Sequence, residues 1–239
     1  MERENDVKKD NDIDKLSARL IIINTNVRSL CPKVNSLLDC FNELRVGVGI
    51  VTETWLREGS GLEEDVNDFV DGTGFGLLNL CRKPTDRGVL HGGVSIAYLK
   101  NTCELNVVNM QNPNDFEVLV ASGSLRGHAR KLVVIACYLP PNYTVPRANA
   151  CLAHITDVVL EARRRYTDPY ILVGGDFNQW DIASALVDYI DIAETDVGPT
   201  RGDRSIDRLF SNFHRSVIES GTLPPLETCL LYTSPSPRD

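Results

Sequence analysis

The sequence lacks the features that identify secreted and membrane-spanning chains. The first fifteen residues, MERENDVKKDNDIDK, are charged and contain no apolar run, which argues against a signal peptide or a transit sequence. No apolar stretch approaches the roughly 20 residues that are needed to span a bilayer. We therefore expect a soluble, intracellular protein with no membrane partner.

Paired cysteines are also lacking, because the chain has an odd total of seven and no C-x-x-C spacing. Without a secretion signal, this pattern favours reduced thiols that pack as small apolar side chains over disulfides or a structural zinc site. The cysteines are Cys31, Cys40, Cys81, Cys103, Cys137, Cys151 and Cys229.

A basic excess is the third absence. The formal net charge is -8 and the isoelectric point is near 5.1, so the bulk charge of the chain does not favour binding to nucleic acid. An acidic domain can still act on a polyanion when a divalent cation screens its carboxylates and basic loops flank the site. The composition therefore leaves nucleic-acid chemistry open, with a divalent cation as its condition.

What the chain does contain is enough apolar sequence for one α/β domain, since its 239 residues are 42% hydrophobic. After a charged tail at 1–18, we place this domain at 19–228. Early strands alternate with a helical pattern, as in βαβ units, and later strands follow one another as in antiparallel meanders. We expect two mixed β-sheets packed face to face, with helices outside. The predicted strands are 20–24, 46–51, 75–81, 93–99, 103–108, 116–124, 132–138, 170–174, 205–210 and 217–221, and the predicted helices begin near Pro32 and cover about 146–166 and 183–189.

Polar side chains occur at comparable places, just after or within apolar strands. They are Asn26 in NTNVRSL, Glu53 in VTETWL, Asp176 and Asn178 in VGGDFNQW, and Asp207 in RSIDRLF. Sites in α/β sheets form at the carboxyl ends of strands. A carboxylate with other oxygen donors nearby suits Mg2+, and a close group of carboxylates needs a cation or a proton between its members. For Asp176 and Asn178 alone, a β-turn held by Asx hydrogen bonds is the alternative.

Six motifs in one order carry a resemblance to a known family. The strings NVRSL, TETW, GGVSIAY, CYLPPN, GGDFN and SIDRLF resemble those of the endonuclease/exonuclease/phosphatase superfamily, which includes DNase I and the apurinic/apyrimidinic endonucleases. They are most similar to the endonuclease domain that precedes the reverse transcriptase in non-LTR retrotransposon polyproteins. The resemblance covers about 20–228 and implies a four-layered α/β sandwich. It also implies nuclear localisation and nicking of DNA with Mg2+, or with Mn2+ as a substitute.

The resemblance implies a role for each motif residue. Glu53 would bind Mg2+, with Asn26 beside it in the same polar network of the metal site. Asp176 would orient or deprotonate the attacking water, which is a general-base role. Asn178 would hold the scissile phosphate, and Tyr138, in CYLPP, would contact the phosphate or the leaving group.

Four further positions complete the comparison with the family. Thr200 and Arg201, in GPTRGD, would bind the phosphate backbone of the substrate, and Asp207 would buttress a catalytic histidine. Arg28 departs from the DNA-repair branch, which usually has Asp at this place. One metal ligand of that branch is therefore absent, which fits the retrotransposon branch better.

The family's last motif, Ser-Asp-His, does not follow GTLPPLET in this chain. Residues 229–239, CLLYTSPSPRD, read as a translated transposase adapter from sequencing-library preparation, which we expect not to be native. We therefore expect a domain that is incomplete at its C-terminus and catalytically impaired. We interpret the histidines that remain as structural or exposed, and they are His91, His128, His154 and His214.

Two alternatives to a DNA endonuclease stay open. The first is a phosphatase or phosphodiesterase that acts on inositol phosphates or lipids, because the fold does not decide the substrate. The second is an inactive remnant that binds metal or DNA. Trp180 could pack in the core or line the groove. The arginines at 163–165 fit a solvated helix end and, as a second interpretation, a DNA contact, while Arg126, Arg130 and Lys131 flank a hairpin that could touch a DNA backbone.

Overall fold

The computed structural model describes residues 20–81, 91–112, 114–187, 193–194, 199, 205–213 and 219–223. The charged tail and the adapter-like segment lie outside these residues. No helix in the described ranges has the length and apolar content needed to cross a membrane. The strands are β1 Ile21–Asn26, β2 Val46–Thr52, β3 Phe75–Leu80, β4 Val94–Leu99, β5 Cys103–Val107, β6 Glu117–Leu125, β7 Lys131–Tyr138, β8 Tyr170–Asp176, β9 Ala193–Glu194 and β10 Asp207–Ser211. The α-helices are α1 Val34–Leu44, α2 Gly61–Asp71, α3 Val145–Arg165 and α4 Ile182–Val187, and a 3-10 turn at Cys31–Lys33 precedes α1.

The strands form two mixed sheets, as predicted. The four-stranded sheet has the order β1-β2-β4-β3, and the six-stranded sheet has the order β5-β6-β7-β8-β10-β9. The pairs β1–β2 and β7–β8 are parallel, and the other pairs are antiparallel. Each parallel pair is joined by a crossover helix, α1 in the first case and α3 in the second, because parallel neighbours cannot be joined by a tight turn.

Three apolar clusters separate four layers and confirm the predicted sandwich. The middle cluster fills the space between the sheets, the second packs the six-stranded sheet against α3 and α4, and the third packs the four-stranded sheet against α1 and α2. The side chains of Ile50 and Ile96 meet those of Leu119 and Leu172 in the middle cluster, and none of the four is more than 3% exposed.

The two glycines of ILVGGDFN allow β8 to run closely between its neighbours. A Cβ on Gly174 would lie 2.6 Å from both the Ile50 Cδ1 atom and the Leu209 Cδ2 atom. Gly175 has a φ of +150°, and a Cβ there would lie 1.8 Å from the backbone oxygen of Cys137. Glycine is therefore required at 175, where the strand delivers the next residue, Asp176, to the sheet edge.

The predicted antiparallel meanders between residues 75 and 138 are confirmed, because β3 pairs with β4 and β5, β6 and β7 pair in order, all of them antiparallel. The two groups lie in different sheets, with β3 and β4 in the four-stranded sheet and β5, β6 and β7 in the other. The chain changes sheets in the short turn at residues 100–102. In the predicted strand at 217–221, the described residues 219–221 are irregular.

Helix α2 was not predicted, although the sequence contains its start signal. The Ser60 hydroxyl oxygen accepts a hydrogen bond from the Glu63 backbone N–H at 3.3 Å, which is half of a capping box. Only Val66 and Val70 are buried in this helix, so its apolar stripe is too sparse for a periodicity signal. The Ser60 cap and the acidic residues of the first turn were the sequence signals from which α2 could have been predicted.

Candidate active site

The predicted site residues meet where strands of both sheets end. Asn26 is the last residue of β1 and Glu53 follows β2, and these strands are parallel neighbours in the four-stranded sheet. Tyr138 and Asp176 are the last residues of β7 and β8 and lie opposite each other in the six-stranded sheet. Because both parallel pairs end at the same edge of the sandwich, four positions from distant parts of the chain come together.

Direct hydrogen bonds join these four side chains. The Asn26 amide nitrogen donates to the Glu53 Oε1 atom at 2.8 Å and to the Asp176 Oδ2 atom at 2.9 Å. The Tyr138 hydroxyl also donates to Glu53 Oε1, at 3.3 Å. The Asn26 side-chain oxygen accepts from the exposed Arg28 backbone N–H at 3.2 Å, which fixes the amide so that its nitrogen faces the two carboxylates.

Two site residues have backbone conformations that are unusual for side chains with a Cβ. The φ of Glu53 is +53° and the φ of Asn178 is +50°. A left-handed conformation of this kind costs on the order of 1–3 kcal/mol and occurs most often at functional sites. The backbone oxygen of Glu53 accepts from the Ser29 N–H at 2.8 Å, so the loops after β1 and β2 hold each other.

The Asx turn that was the alternative for GGDFN is present, and it is part of the site. The Asn178 backbone N–H donates to the Asp176 Oδ1 atom at 2.9 Å, while the Asn178 side-chain amide donates to the Leu139 carbonyl oxygen at 2.9 Å. Asp176 is only 1% exposed. Both of its carboxylate oxygens accept hydrogen bonds, so the turn orients a buried carboxylate toward Glu53 and Asn26.

The environment of Tyr138 keeps its hydroxyl protonated. Burial raises the pKa of Tyr138 well above its ordinary value, and the charges of Glu53, Asp176 and Glu117 together with the hydrogen bond to Glu53 raise it further. A phenol in such surroundings is a hydrogen-bond donor over the whole range of physiological pH. The arrangement therefore supplies one protonated O–H group that is hydrogen-bonded to Glu53 and lies within the electrostatic influence of Asp176 and Glu117.

Asp207 lies directly across from Asp176 in the antiparallel pair of β10 and β8. Directly opposed side chains share one face of a sheet, and like charges in this position repel each other.

In the part of the chain that the structure describes, three or more His, Cys, Asp or Glu side chains do not converge on one point. Glu53 and the carboxylates near it nevertheless fit Mg2+, which takes one or two protein carboxylates and keeps several waters.

The remaining residues named in the sequence analysis either lie outside the described part of the chain or have contacts elsewhere in it. Thr200, Arg201 and His214 lie outside the described residues. The His91 ring packs edge-on against Trp55 at a centroid distance of 4.5 Å. The other two described histidines contact aromatic rings away from the site, with His128 against Tyr170 and His154 against Phe116.

Trp180 packs on the core and also fixes the loop after β7. Its indole N–H donates to the Pro140 carbonyl oxygen at 3.2 Å, and its ring packs against the cluster beneath α3. The neighbouring Gln179 side chain donates to the Pro141 carbonyl oxygen at 2.7 Å. Together with the bond from Asn178 to Leu139, three consecutive residues hold the three carbonyl groups that follow Tyr138.

The basic residues of the β6–β7 hairpin and of the α3 end lie far from the site. Lys131 begins β7 and Tyr138 ends it, so this strand places them roughly 23 Å apart. Arg130 donates to the backbone oxygen of Asp168 at 2.5 Å and to its carboxylate at 2.9 Å, which joins the hairpin to the segment after α3. The arginines at 163–165 close that helix. This far basic edge cannot touch a phosphate that is bound at Asp176.

One buried carboxylate was missed by the sequence analysis. Glu117 begins β6, is 5% exposed and accepts a hydrogen bond from the Gly93 backbone N–H. The available signal was a charged residue inside the otherwise apolar run FEVLV.

Comparison with known proteins identifies the fold. No protein-family model matches the chain, and no curated protein matches it in sequence. The catalytic domain of human Nocturnin, solved with a sulfate anion, aligns over 82% of this chain and 82% of its own length, with a TM-score of 0.59 and 9% identity. The 3′ phosphatase NExo from Neisseria, bound to a product DNA hairpin, covers 81% of this chain and 86% of its own length, with a TM-score of 0.56 and 13% identity. The endonuclease domain of TRAS1, a telomere-specific non-LTR retrotransposon, covers 80% and 84%, with a TM-score of 0.52 and 12% identity.

Proposed function

We propose that this chain, whose fold is that of the endonuclease/exonuclease/phosphatase or DNase I-like superfamily, is the nuclease domain of a non-LTR retrotransposon and hydrolyses phosphodiester bonds of DNA with Mg2+. The observation that carries the proposal is the hydrogen-bonded group of Asn26, Glu53, Tyr138 and Asp176. A phosphodiesterase site needs fixed oxygen ligands, a carboxylate that can accept a proton from water, and donors for the phosphate oxygens. This group supplies each of them.

In the proposed site, Glu53 would hold the Mg2+ ion, and Asn26 keeps the Glu53 carboxylate oriented. When bound, the ion would supply electrostatic stabilisation of the negative charge that develops on the phosphate. Mn2+ has similar oxygen ligands and is expected to replace it. Asn26 also holds the Asp176 carboxylate, which limits the repulsion between the two acidic residues.

The remaining residues act on water and on the phosphodiester. Asp176 accepts a proton from the attacking water, whose oxygen forms a bond to phosphorus. The bond from phosphorus to the 3′ oxygen breaks, and the leaving 3′ oxygen takes a proton from solvent water. The products are a 5′-phosphate and a 3′-hydroxyl, which is the end that a reverse transcriptase would extend.

With DNA bound, the Tyr138 hydroxyl would turn from Glu53 to the phosphate, and the second N–H of the Asn178 side-chain amide would donate to the phosphate. Thr200 and Arg201 would contact the DNA backbone. Asp207 would support the histidine of the family's last motif, which is not found in this sequence.

The proposed context follows from the motifs. The order NVRSL, TETW and CYLPPN favours a retrotransposon endonuclease over an inositol-phosphate or lipid phosphatase. The DNA-bound NExo structure and the TRAS1 domain support DNA as the substrate class. We therefore place the parent protein in the nucleus, with a reverse transcriptase domain as its partner.

A plasmid assay tests the proposal. We expect the chain to convert supercoiled plasmid to the nicked form only when Mg2+ or Mn2+ is present, at a low rate because the Ser-Asp-His motif is not found in the sequence. Asp176→Asn should abolish nicking, and Glu53→Gln should raise the Mg2+ concentration needed for half-maximal nicking. The control is Glu104→Gln, which changes an exposed carboxylate on β5.

The same assay separates the alternatives. Hydrolysis of inositol phosphates without nicking of plasmid would overturn DNA as the substrate. If Mn2+ binds and plasmid remains intact even after long incubation, the chain is a metal-binding remnant without endonuclease activity.

A further inference from the structure

A buried carboxylate adjoins the site without belonging to the group that acts on the phosphodiester. Glu117, the first residue of β6, is 5% exposed. Removing a carboxylate from water costs several kcal/mol unless hydrogen bonds compensate for it. The contacts of this carboxylate therefore indicate what its burial accomplishes.

The Glu117 carboxylate accepts a hydrogen bond from the turn that precedes β4 in the four-stranded sheet. Its Oε2 atom accepts a hydrogen bond from the Gly93 backbone N–H at 2.5 Å. Gly92 and Gly93 have φ values of +115° and +86°, and they lie immediately before β4. Glu117 thus adds a side-chain hydrogen bond to a turn whose two glycines can adopt many backbone conformations.

That turn supports the backbone that carries Glu53. The Thr54 N–H donates to the Gly93 oxygen at 3.3 Å, and the Trp55 N–H donates to the Gly92 oxygen at 2.9 Å. Glu53 itself has the left-handed φ of +53°. A left-handed conformation at a residue with a side chain persists only where the surrounding structure enforces it. The Gly92–Gly93 turn contributes to this enforcement, because it binds the two residues that follow Glu53.

A second line of contacts joins the same residues through the side chains. Glu117 lies directly opposite Tyr138 in the register of β6 and β7. The Tyr138 hydroxyl donates to the Glu53 carboxylate at 3.3 Å. Both the backbone and the carboxylate of Glu53 are therefore supported by groups that adjoin Glu117.

We propose that Glu117 is a positioning residue for the cation site. By accepting the Gly93 N–H, its carboxylate holds the Gly92–Gly93 turn, and the turn holds Glu53 in the conformation that binds the divalent cation. The inference rests on the proposed function in one respect, namely that Glu53 is a cation ligand. The hydrogen bond from Gly93 is the part of the interaction that does the positioning, so an acceptor without a charge should replace it.

Two substitutions at Glu117 compare a side chain that can accept the Gly93 N–H hydrogen bond with one that cannot. Glu117→Gln keeps a side-chain oxygen that can accept the Gly93 N–H, whereas Glu117→Leu has a similar volume and no acceptor. Glu104, an exposed carboxylate on the adjacent β5, receives the same two substitutions as a control. Glu117→Asp keeps the charge but withdraws the acceptor by one methylene, and it serves if Glu117→Leu does not fold.

Two measurements are made on the whole chain. The first is hydrogen–deuterium exchange without metal, followed at the amides of Thr54 and Trp55. The second is Mn2+ binding, measured from the electron paramagnetic resonance signal of free Mn2+, with Glu53→Gln as the variant that lacks the ligand. We expect Glu117→Leu to speed exchange at both amides at least 10-fold and to weaken Mn2+ binding at least 10-fold. Glu117→Gln should change each less than 3-fold, and both Glu104 variants should match the unsubstituted protein.

The other possible results would contradict different parts of the proposal. Unchanged exchange in Glu117→Leu, or in Glu117→Asp if that variant is needed, would overturn the positioning role whether or not a cation binds. Faster exchange with unchanged Mn2+ affinity, in a protein whose Mn2+ binding depends on Glu53, would overturn the link to the cation site. A loss in Glu117→Gln as large as that in Glu117→Leu would show that charge acts in place of the hydrogen bond. Absence of Mn2+ binding to the unsubstituted protein would overturn the proposed function, and with it the cation part of this inference, while the exchange data would still decide the role of Glu117 in the turn.

Discussion

Replacing Gly174 with alanine tests the close packing of β8 between the two sheets. The added Cβ would lie 2.6 Å from the Ile50 Cδ1 atom and 2.6 Å from the Leu209 Cδ2 atom, whereas ordinary contacts begin at 3.4 Å. Gly174 does not have a positive φ, so alanine adds overpacking without backbone strain. Overpacking of this kind costs about 1–3 kcal/mol, which corresponds to a melting temperature lower by roughly 2–12 °C in a domain of this size.

A double-mutant cycle isolates the contact across the sheets. Ile50→Val removes the Cδ1 atom and by itself should cost about 0.5–1.5 kcal/mol. The alanine methyl group would occupy part of the space that Ile50→Val leaves, so the two costs should fall short of additivity by about 1 kcal/mol. Urea unfolding followed by circular dichroism measures all three variants.

Two outcomes would refute this reasoning. One is a Gly174→Ala protein as stable as the unsubstituted chain, and the other is strict additivity in the cycle. Gly175→Ala is the contrasting variant, because its Cβ would lie 1.8 Å from the Cys137 backbone oxygen, which no side-chain substitution can remove. We expect that variant not to fold.

Three further predictions concern the site, the pH dependence and the basic edge. Tyr138→Phe removes the hydroxyl bonded to Glu53 but keeps the buried ring, so the nicking rate at saturating Mg2+ should fall about 100-fold with little change in melting temperature, and an equal rate would remove Tyr138 from the site. Burial lowers the pKa of His154 from its ordinary value, although the charge of Asp157 opposes the shift. The unfolded chain therefore binds the proton first, and stability falls as the pH drops below about 6.5. His154→Gln should reduce the fall in melting temperature between pH 7 and pH 5, and an equal fall in both proteins would contradict this. Replacing Arg163 and Arg165 with glutamine should leave kcat for plasmid nicking unchanged, because these arginines close α3 at the end of the six-stranded sheet opposite Asp176, and a large drop in kcat would show that the far basic edge acts in catalysis.

Local sequence was sufficient for most strands and helices. In α1, the side chains of Val34, Leu37, Leu38 and Phe41 recur at helical spacing, and all four are buried as predicted. The run VGVGIV is buried along its whole length in β2. These elements could be predicted because the period of apolar residues is set by neighbours within a few positions. Helix α2 escaped prediction because it buries few apolar residues.

The sequence by itself also determined which residues are candidates for chemistry, since Glu53, Asp176 and Asn178 follow apolar strands in recognisable motifs. Only the tertiary structure decided which groups touch: the Asn26 amide reaches Asp176 across 150 positions of sequence, and Glu117 reaches the Gly93 N–H from another sheet. It also decided that β4 and β5 enter different sheets and that the basic hairpin lies at the far end from the site. The physical reason is that periodicity is a property of adjacent residues, whereas sheet partners and register depend on contacts between distant segments that meet only when the sheets and helices pack together.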